Sequence, residues 1–387
     1  MNIKEHDKLL TTEKLKSALE NAHKITHINA IKHQENFPKP FTANGIYSLS
    51  NGDDIYSGFW TGILWLIYEM SGDTKLKWIA EGNVERFHKR IEEKASVGFG
   101  DIGFLYSPSC VAAHKLVRNK VAKSAAIIAA NCLLLKYDSS TNVMFAWEDG
   151  LEPIQKSIKS SILLNFALLH WASKVTGEER YQEIANKSAI TIRERNILPD
   201  GRVYFSYYYD KVTKKPLFGS FASSYFADKS LVLTYNPRAS AWAIYGLAIN
   251  YSYTGEKINL HYYKKVTDYF LKRLPENYVS RFEFENSKEI MYYDTSAAVI
   301  AVCGMLEMAR TGPKDDPDIK RHMVFAKKIL NSIIDNYSVS ASTGIETLLL
   351  GSTHITSKHI YEGGSIIGDY FYLEAIVRSL KEWEPYW

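Results

Sequence analysis

Apolar positions recur at intervals of three and four along most of the 387-residue chain, the spacing that gathers them on one face of an α-helix. The pattern predicts helices near 12–34, 57–71, 75–93, 105–118, 120–136, 155–175, 178–196, 238–253, 257–273, 294–310, 317–336 and 366–381. Between several of them the same punctuation returns: Ser71-Gly72-Asp73, Thr176-Gly177-Glu178 and Thr254-Gly255-Glu256, with Thr311-Gly312-Pro313 as a variant. Glycine just past a helix end accepts left-handed backbone, and a following acid favours the positive amino end of the next helix, so these read as αα-hairpin turns. Strand-like alternation is limited to short runs such as Val203 to Tyr209, followed by Asp210 to Lys215 and Pro216, which predicts a small hairpin in a loop. The rest reads as helical.

No Pro/Gly/Ser-rich linker divides the helix pairs, which argues for one unit over residues 1–387. The predicted fold is all-α, an (α/α)6 barrel of paired antiparallel helices with long loops at one end. An open solenoid is the alternative, but the pairs lack strict periodicity and the loops near 197–236 and 338–365 are long. Long loops crowding one end of a toroid usually build a site.

Composition changes the picture little. With 46% hydrophobic and 23% charged residues the chain is ordinary for a globular protein, and no run of eighteen apolar residues offers a membrane span. A formal charge of +4, with lysines and glutamates interspersed, predicts neither a nucleic-acid nor a membrane partner. The amino terminus lacks an apolar secretory core, so a cytoplasmic location is expected. Cys110, Cys132 and Cys303 sit in apolar stretches without CxxC spacing and are expected to be buried thiols. The aromatic content of 13%, with 26 tyrosines and 8 tryptophans, suits stacking on sugars, yet composition alone favours a core role.

The usual chemical motifs are absent: no GxxxxGK, HExxH or GxSxG, and no dinucleotide fingerprint. Neither cofactor nor metal is expected. His23 and His27 have the i, i+4 spacing of a helical metal pair, but no third ligand with a matching pattern follows, so they read as surface residues. Three loop or helix-entry segments are more informative. Asp101 lies among glycines and aromatics in Gly98 to Phe104, where an apolar setting would tune its pKa, or where it would simply cap the next helix. Phe145-Ala146-Trp147-Glu148-Asp149 sets a ring beside two acids, either a stacking platform or an exposed turn. Arg238 and Trp242 share a face at a helix start, where the arginine would grip a carboxylate or pair with a structural acid.

Taken in order, six segments resemble the unsaturated glucuronyl hydrolase family, glycoside hydrolase family 88. They are Ser57 to Glu69, Asp101 to Phe104, Asn165 to Ser173, Arg238 to Gly246, Asp294 to Ala298, and Ser365 to Ala375. The resemblance implies a barrel that removes a 4,5-unsaturated uronic acid from oligosaccharides by hydration, without a cofactor. In that family one aspartate protonates the enol-ether double bond at C4 and activates the water that adds at C5; the hemiketal then collapses and expels the rest of the sugar. A second aspartate assists at the ring.

Residue by residue, the transfer is uneven. Asp101 matches the assisting aspartate of a His-Asp-x-Gly-Phe block whose histidine is Gly100 here. The acid/base aspartate should stand four residues before Asn165, and Ser161 stands there. Losing that acid should lose at least the roughly 10²–10⁴-fold of general acid–base catalysis, so a substitute is expected from Glu148, Asp149 or Asp228. The Arg-Gly-Gln-Ala-Trp block becomes Arg238-Ala239-Ser240-Ala241-Trp242, a His-Gln-Gly loop becomes Phe221 to Tyr225, and Ile55 and Ile367 replace tryptophans. Trp60, Trp147, Arg238, Ser240 and Trp242 are the expected substrate contacts. The favoured function is hydrolysis of a uronate-containing or modified oligosaccharide by a monomer or homodimer. The alternatives are a catalytically silent saccharide-binding relative and a surface-polysaccharide tailoring protein.

Overall fold

The computed structural model describes residues 10–93, 101–145, 155–221, 235–284, 292–355 and 360–387. Twelve helices in six pairs organise them. The outer member of each pair comes first: α1 Thr12–His33, α3 Thr74–Glu92, α5 Lys120–Leu134, α7 Arg180–Asn196, α9 Lys257–Leu271 and α11 Pro317–Asn336. The inner members are α2 Ser57–Ser71, α4, α6 Ile162–Thr176, α8 Pro237–Thr254, α10 Thr295–Thr311 and α12 Ile366–Leu380. Helix α4 is composite, running Ile102–Tyr106, then a π-helical turn Ser107–Val111 that contains Pro108, then Ala112–Val117. Each inner helix packs on its neighbours, α2 on α4, then α6, α8, α10 and α12, and α12 returns to α2. The ring closes into an (α/α)6 barrel.

The two rings differ in the way their positions require. Every residue from Ser57 to Ile67, from Ile162 to Ser173 and from Ile366 to Val377 is buried. A helix covered on all sides must be apolar all round. Outer helices such as α3 and α11 bury only one stripe, with Leu76, Ala80, Val84, Phe87 and Ile91 inward in α3. The inner turns end as the glycine punctuation predicts, with Gly72, Gly177 and Gly255 at φ +74°, +79° and +65°. Gly312 differs: it is extended, at φ −77° and ψ 175°, because the following Pro313 disfavours helical backbone before it.

Because inner helices all run the same way, the connections alternate in length. Short turns gather at one end, and the six longer connections that lead into α2, α4, α6, α8, α10 and α12 gather at the other. The short-turn end is floored by residues 381–387: Trp387 stacks on Phe371 (5.8 Å between ring centroids) and donates from Nε1 to Glu374. Below it Arg378 bridges Glu307 (2.7 Å) and Glu374 (2.9 Å), all three buried.

Two sequence readings need correction. With β1 Phe37–Ala43, β2 Ile46–Ser50, β3 Tyr137–Asp138 and β4 Val143–Met144 before it in the chain, residues 155–159, expected to begin a helix, form strand β5 (Gln155–Lys159), paired antiparallel with β6 (Ser206–Asp210), which pairs in turn with β7 (Pro216–Ser220). The predicted hairpin thus exists, and a third strand recruits the residues before α6. Nor is the remainder helical, since hairpins also form from Phe37–Ala43 with Ile46–Ser50, Tyr137–Asp138 with Val143–Met144, and Ser352–Ile355 with Ile360–Gly363. Among the described residues no disulfide joins the three cysteines, of which Cys110 and Cys303 are buried and Cys132 half-buried.

Candidate active site

Asp101 enters α4 at the long-loop end and is 6% exposed. It occupies the N-cap position, yet its carboxylate caps nothing. Instead Oδ1 accepts hydrogen bonds from Ser161 Oγ (3.0 Å), at the N-cap position of α6, and Asn165 Nδ2 (3.1 Å) on α6, and among the described residues none reaches Oδ2. Asn165 Nδ2 also donates to Ser161 O at 3.2 Å, which fixes the three side chains as one unit. Gly103 makes the approach of α4 to α6 possible, because a Cβ there would stand 2.5 Å from Asn165 Oδ1.

Burial raises the Asp101 pKa above the ordinary carboxylate value, while Lys159 and the bonds from Ser161 and Asn165 oppose the rise. Lys159 is itself buried and is delivered by the last position of β5. The strand therefore has a role a helix there would not serve: its pairing with β6 brings a cation toward the acid. The outcome is a carboxyl that holds its proton to higher pH than usual, as a proton donor requires.

A second group surrounds the starts of α8 and α10. Asn236 caps α8 through its side chain, with Pro237 at the first helical position. Arg238 follows, and its Nε lies 2.7 Å from Asp294 Oδ2 while the N–H is directed to Ser296 Oγ at 3.0 Å. Nη2 donates to Thr353 O. Asp294 in turn caps α10 through Ala297 N and accepts from Ser296 Oγ. These contacts tie Arg238 to an acid that caps the next inner helix. It also lies 5.9 Å from the ring of Phe41, which stacks on His354 at 4.1 Å.

The remaining expected contacts divide. Trp242 is buried between Phe104 (4.9 Å) and Phe371 (5.5 Å), so it lies beneath the residue three positions beyond Asp101. Ser240 is buried on the same helix. Trp60 is buried against His33 of the outer ring (5.4 Å). Trp147, Glu148, Asp149 and Asp228 lie outside the described residues. Sequence reasoning passed over Lys159, Asp294 as the partner of Arg238, His354, and Asp369 as an acid. Asp369, in the first turn of α12, is buried; burial pushes its pKa up to about 7, while Thr347, Leu349 N and Tyr47 donate to it. The capping pattern of Asp294-Thr-Ser-Ala was a usable signal for one of these; the others depend on loops meeting.

No protein-family profile matches the chain. Whole proteins do. The chain is 35% identical over 389 residues to the unsaturated chondroitin disaccharide hydrolase of Streptococcus agalactiae serotype III, covering 99% of this chain and 95% of that one. The crystal structure of an unsaturated glucuronyl hydrolase from S. agalactiae superposes with a TM-score of 0.90 at 32% identity, over 100% of this chain and 98% of that one. A variant of that hydrolase complexed with dGlcA-GalNAc6S superposes with a TM-score of 0.85 at 33% identity, over 98% and 94% of the two chains. Two aspartates of the S. agalactiae hydrolase, each replaced by asparagine in a solved structure, are separated by the same interval of 60 residues as Asp101 and Ser161.

Proposed function

Because the chain belongs to the unsaturated glucuronyl hydrolase family, we propose that it hydrolyses oligosaccharides bearing a 4,5-unsaturated uronic acid, with Asp101 as the proton donor. The observation that carries the assignment is the buried Asp101 carboxyl, its pKa raised and one oxygen held by Ser161 and Asn165. Protonated Asp101 gives its proton to C4 of the enol ether, and the positive charge developing at C5 is met by water. The carboxylate left behind takes a proton from that water, the hemiketal opens, and the remaining sugar leaves. Each proton given is recovered, so the cycle needs no cofactor.

Ser161 occupies the place of the family's acid/base aspartate, so in this reading the proton-donor role passes to Asp101, which matches the assisting one. The Ser161 hydroxyl cannot supply a proton near neutral pH, but it orients Asp101. The candidates for a second carboxylate remain Glu148, Asp149 and Asp228. Trp242 and Trp147 are the proposed aromatic contacts, with Trp60 and Ser240 lending support from beneath. Arg238, tied to Asp294, presents the remainder of its guanidinium charge to a uronate carboxylate. We read residues 1–387 as one barrel unit, acting in the cytoplasm as a monomer or homodimer; among the described residues no helix is long and apolar enough to cross a membrane.

A panel of unsaturated disaccharides, followed by loss of ultraviolet absorbance of the conjugated uronate, tests the reading. Turnover of at least one member, abolished in Asp101→Asn, is expected. Turnover that survives this substitution removes Asp101 from the mechanism. Ser161 favours one other reading, a saccharide-binding relative without turnover, which calorimetry would reveal as binding with no product.

A further inference from the structure

The His23 and His27 pair does have a third partner. His23 Nε2 lies 2.9 Å and His27 Nδ1 2.8 Å from the same atom, Asp73 Oδ2, and all three ligand atoms fall within 4.8 Å of one another. The carboxylate is preset, since its other oxygen accepts from Lys75 N (3.1 Å) and Leu76 N (3.3 Å) and so caps α3. Two nitrogens one helical turn apart and one fixed carboxylate oxygen thus converge where the α2–α3 turn meets α1, at the short-turn end of the barrel, away from Asp101.

We propose that His23, His27 and Asp73 form a binding site for one divalent transition-metal ion of the zinc class, completed by water. Neutral imidazole and carboxylate are the donor types such ions take, at about 2.0–2.2 Å from the metal. Ligand atoms around a tetrahedral ion stand about 3.3–3.5 Å apart, so each histidine need withdraw from Asp73 by only a little over half an ångström. Both histidines are about one-third exposed and have room for that shift. On binding, the ring nitrogen facing Asp73 gives its lone pair to the metal, and the ring proton resides on the nitrogen facing solvent.

The site would clamp the outer helix α1 to the turn joining α2 and α3, so metal should stabilise the fold without entering the chemistry at Asp101. The test is calorimetric titration of chelator-treated, full-length protein with zinc chloride at neutral pH, with thermal melts in parallel. One ion per chain and a raised Tm are expected. His23→Ala, His27→Ala and Asp73→Asn should each weaken binding tenfold or more and remove the rise in Tm. Asparagine also caps helices well, so Asp73→Asn keeps the fold while losing the anionic ligand. Absence of saturable binding, or binding and melting unchanged in the double variant His23→Ala/His27→Ala, overturns the proposal.

Discussion

Ser161 Oγ donates to Asp101 Oδ1 over 3.0 Å, although Ser161 stands at the start of α6, where a serine hydroxyl ordinarily turns to the free N–H groups of its own helix. The hydroxyl serves an acid on another helix, and the bond favours the charged form of that acid. Ser161→Ala should therefore raise the Asp101 pKa further. If Asp101 acts protonated, activity is present below its pKa and lost as pH rises through it. The alkaline limb of kcat/KM should accordingly move to higher pH in Ser161→Ala, as a pH–rate profile will measure. A limb that stays in place belongs to some other group.

Restoring a carboxyl at the same position is the converse experiment. Ser161→Asp would set a second acid beside Asp101, where two like charges cannot both ionise cheaply and one proton is retained. Turnover should rise at least tenfold, toward the roughly 10²–10⁴-fold range of general acid–base catalysis, with some loss of thermal stability from the added buried acid. Substrate that binds the variant by calorimetry yet is not turned over would favour the silent-binding reading.

What could be read from the sequence follows the range of the interactions involved. Helices and their glycine turns are local, and all twelve were legible from spacing; Gly72, Gly177 and Gly255 took the left-handed backbone their punctuation implied. Asp101 and Ser161 are legible through short family-like blocks that keep their order along the chain. Strand β5 was misread because Gln155 to Lys159 is too short to separate two periods, and its partner lies some fifty residues on. Asp73, read only as the acid opening the next helix, is joined to His23 and His27 across 50 and 46 residues, a partnership no local spacing signals. The hairpin Phe37–Ser50 was obscured by Pro38 and Pro40, which interrupt its alternation.

Gly103 offers a way to disturb the acid without touching it. In Gly103→Ala the new Cβ would stand 2.5 Å from Asn165 Oδ1 and 3.1 Å from Asn165 Cα, so Asn165 or α6 must give way. Overpacking of this kind costs about 1–3 kcal/mol, and displacement of Asn165 removes a donor from Asp101. Thermal melts should show a modest loss, and kcat should fall by more than the folded fraction does. Equal losses would mean that Asn165 serves packing alone.

Asp369 gives the fold a pH dependence whose sign can be worked out. Its pKa is about 7 in the folded protein against 3.8 for the free side chain. Between those values the folded state keeps a proton that the unfolded state has lost, so stability should fall as pH rises from about 4 to 7. His170 opposes it. Burial lowers its pKa from 6.5 to about 4, although Asn250 hydrogen-bonds to the ring. Between pH 4 and 6.5 the unfolded state therefore binds the extra proton, and stability from this group rises with pH. The two contributions largely cancel in the acid range and leave a decline from about pH 6.5 to 7. Asp369→Asn removes one of them. A carboxamide can still accept from Leu349 N and donate to Tyr47 Oη, so the fold is retained while the decline disappears and the His170 rise is exposed. Urea denaturation of parent and variant from pH 4.5 to 8 should give curves that diverge with increasing pH in favour of the variant. Curves that run parallel would show that Asp369 ionises in the fold as it does in the unfolded chain.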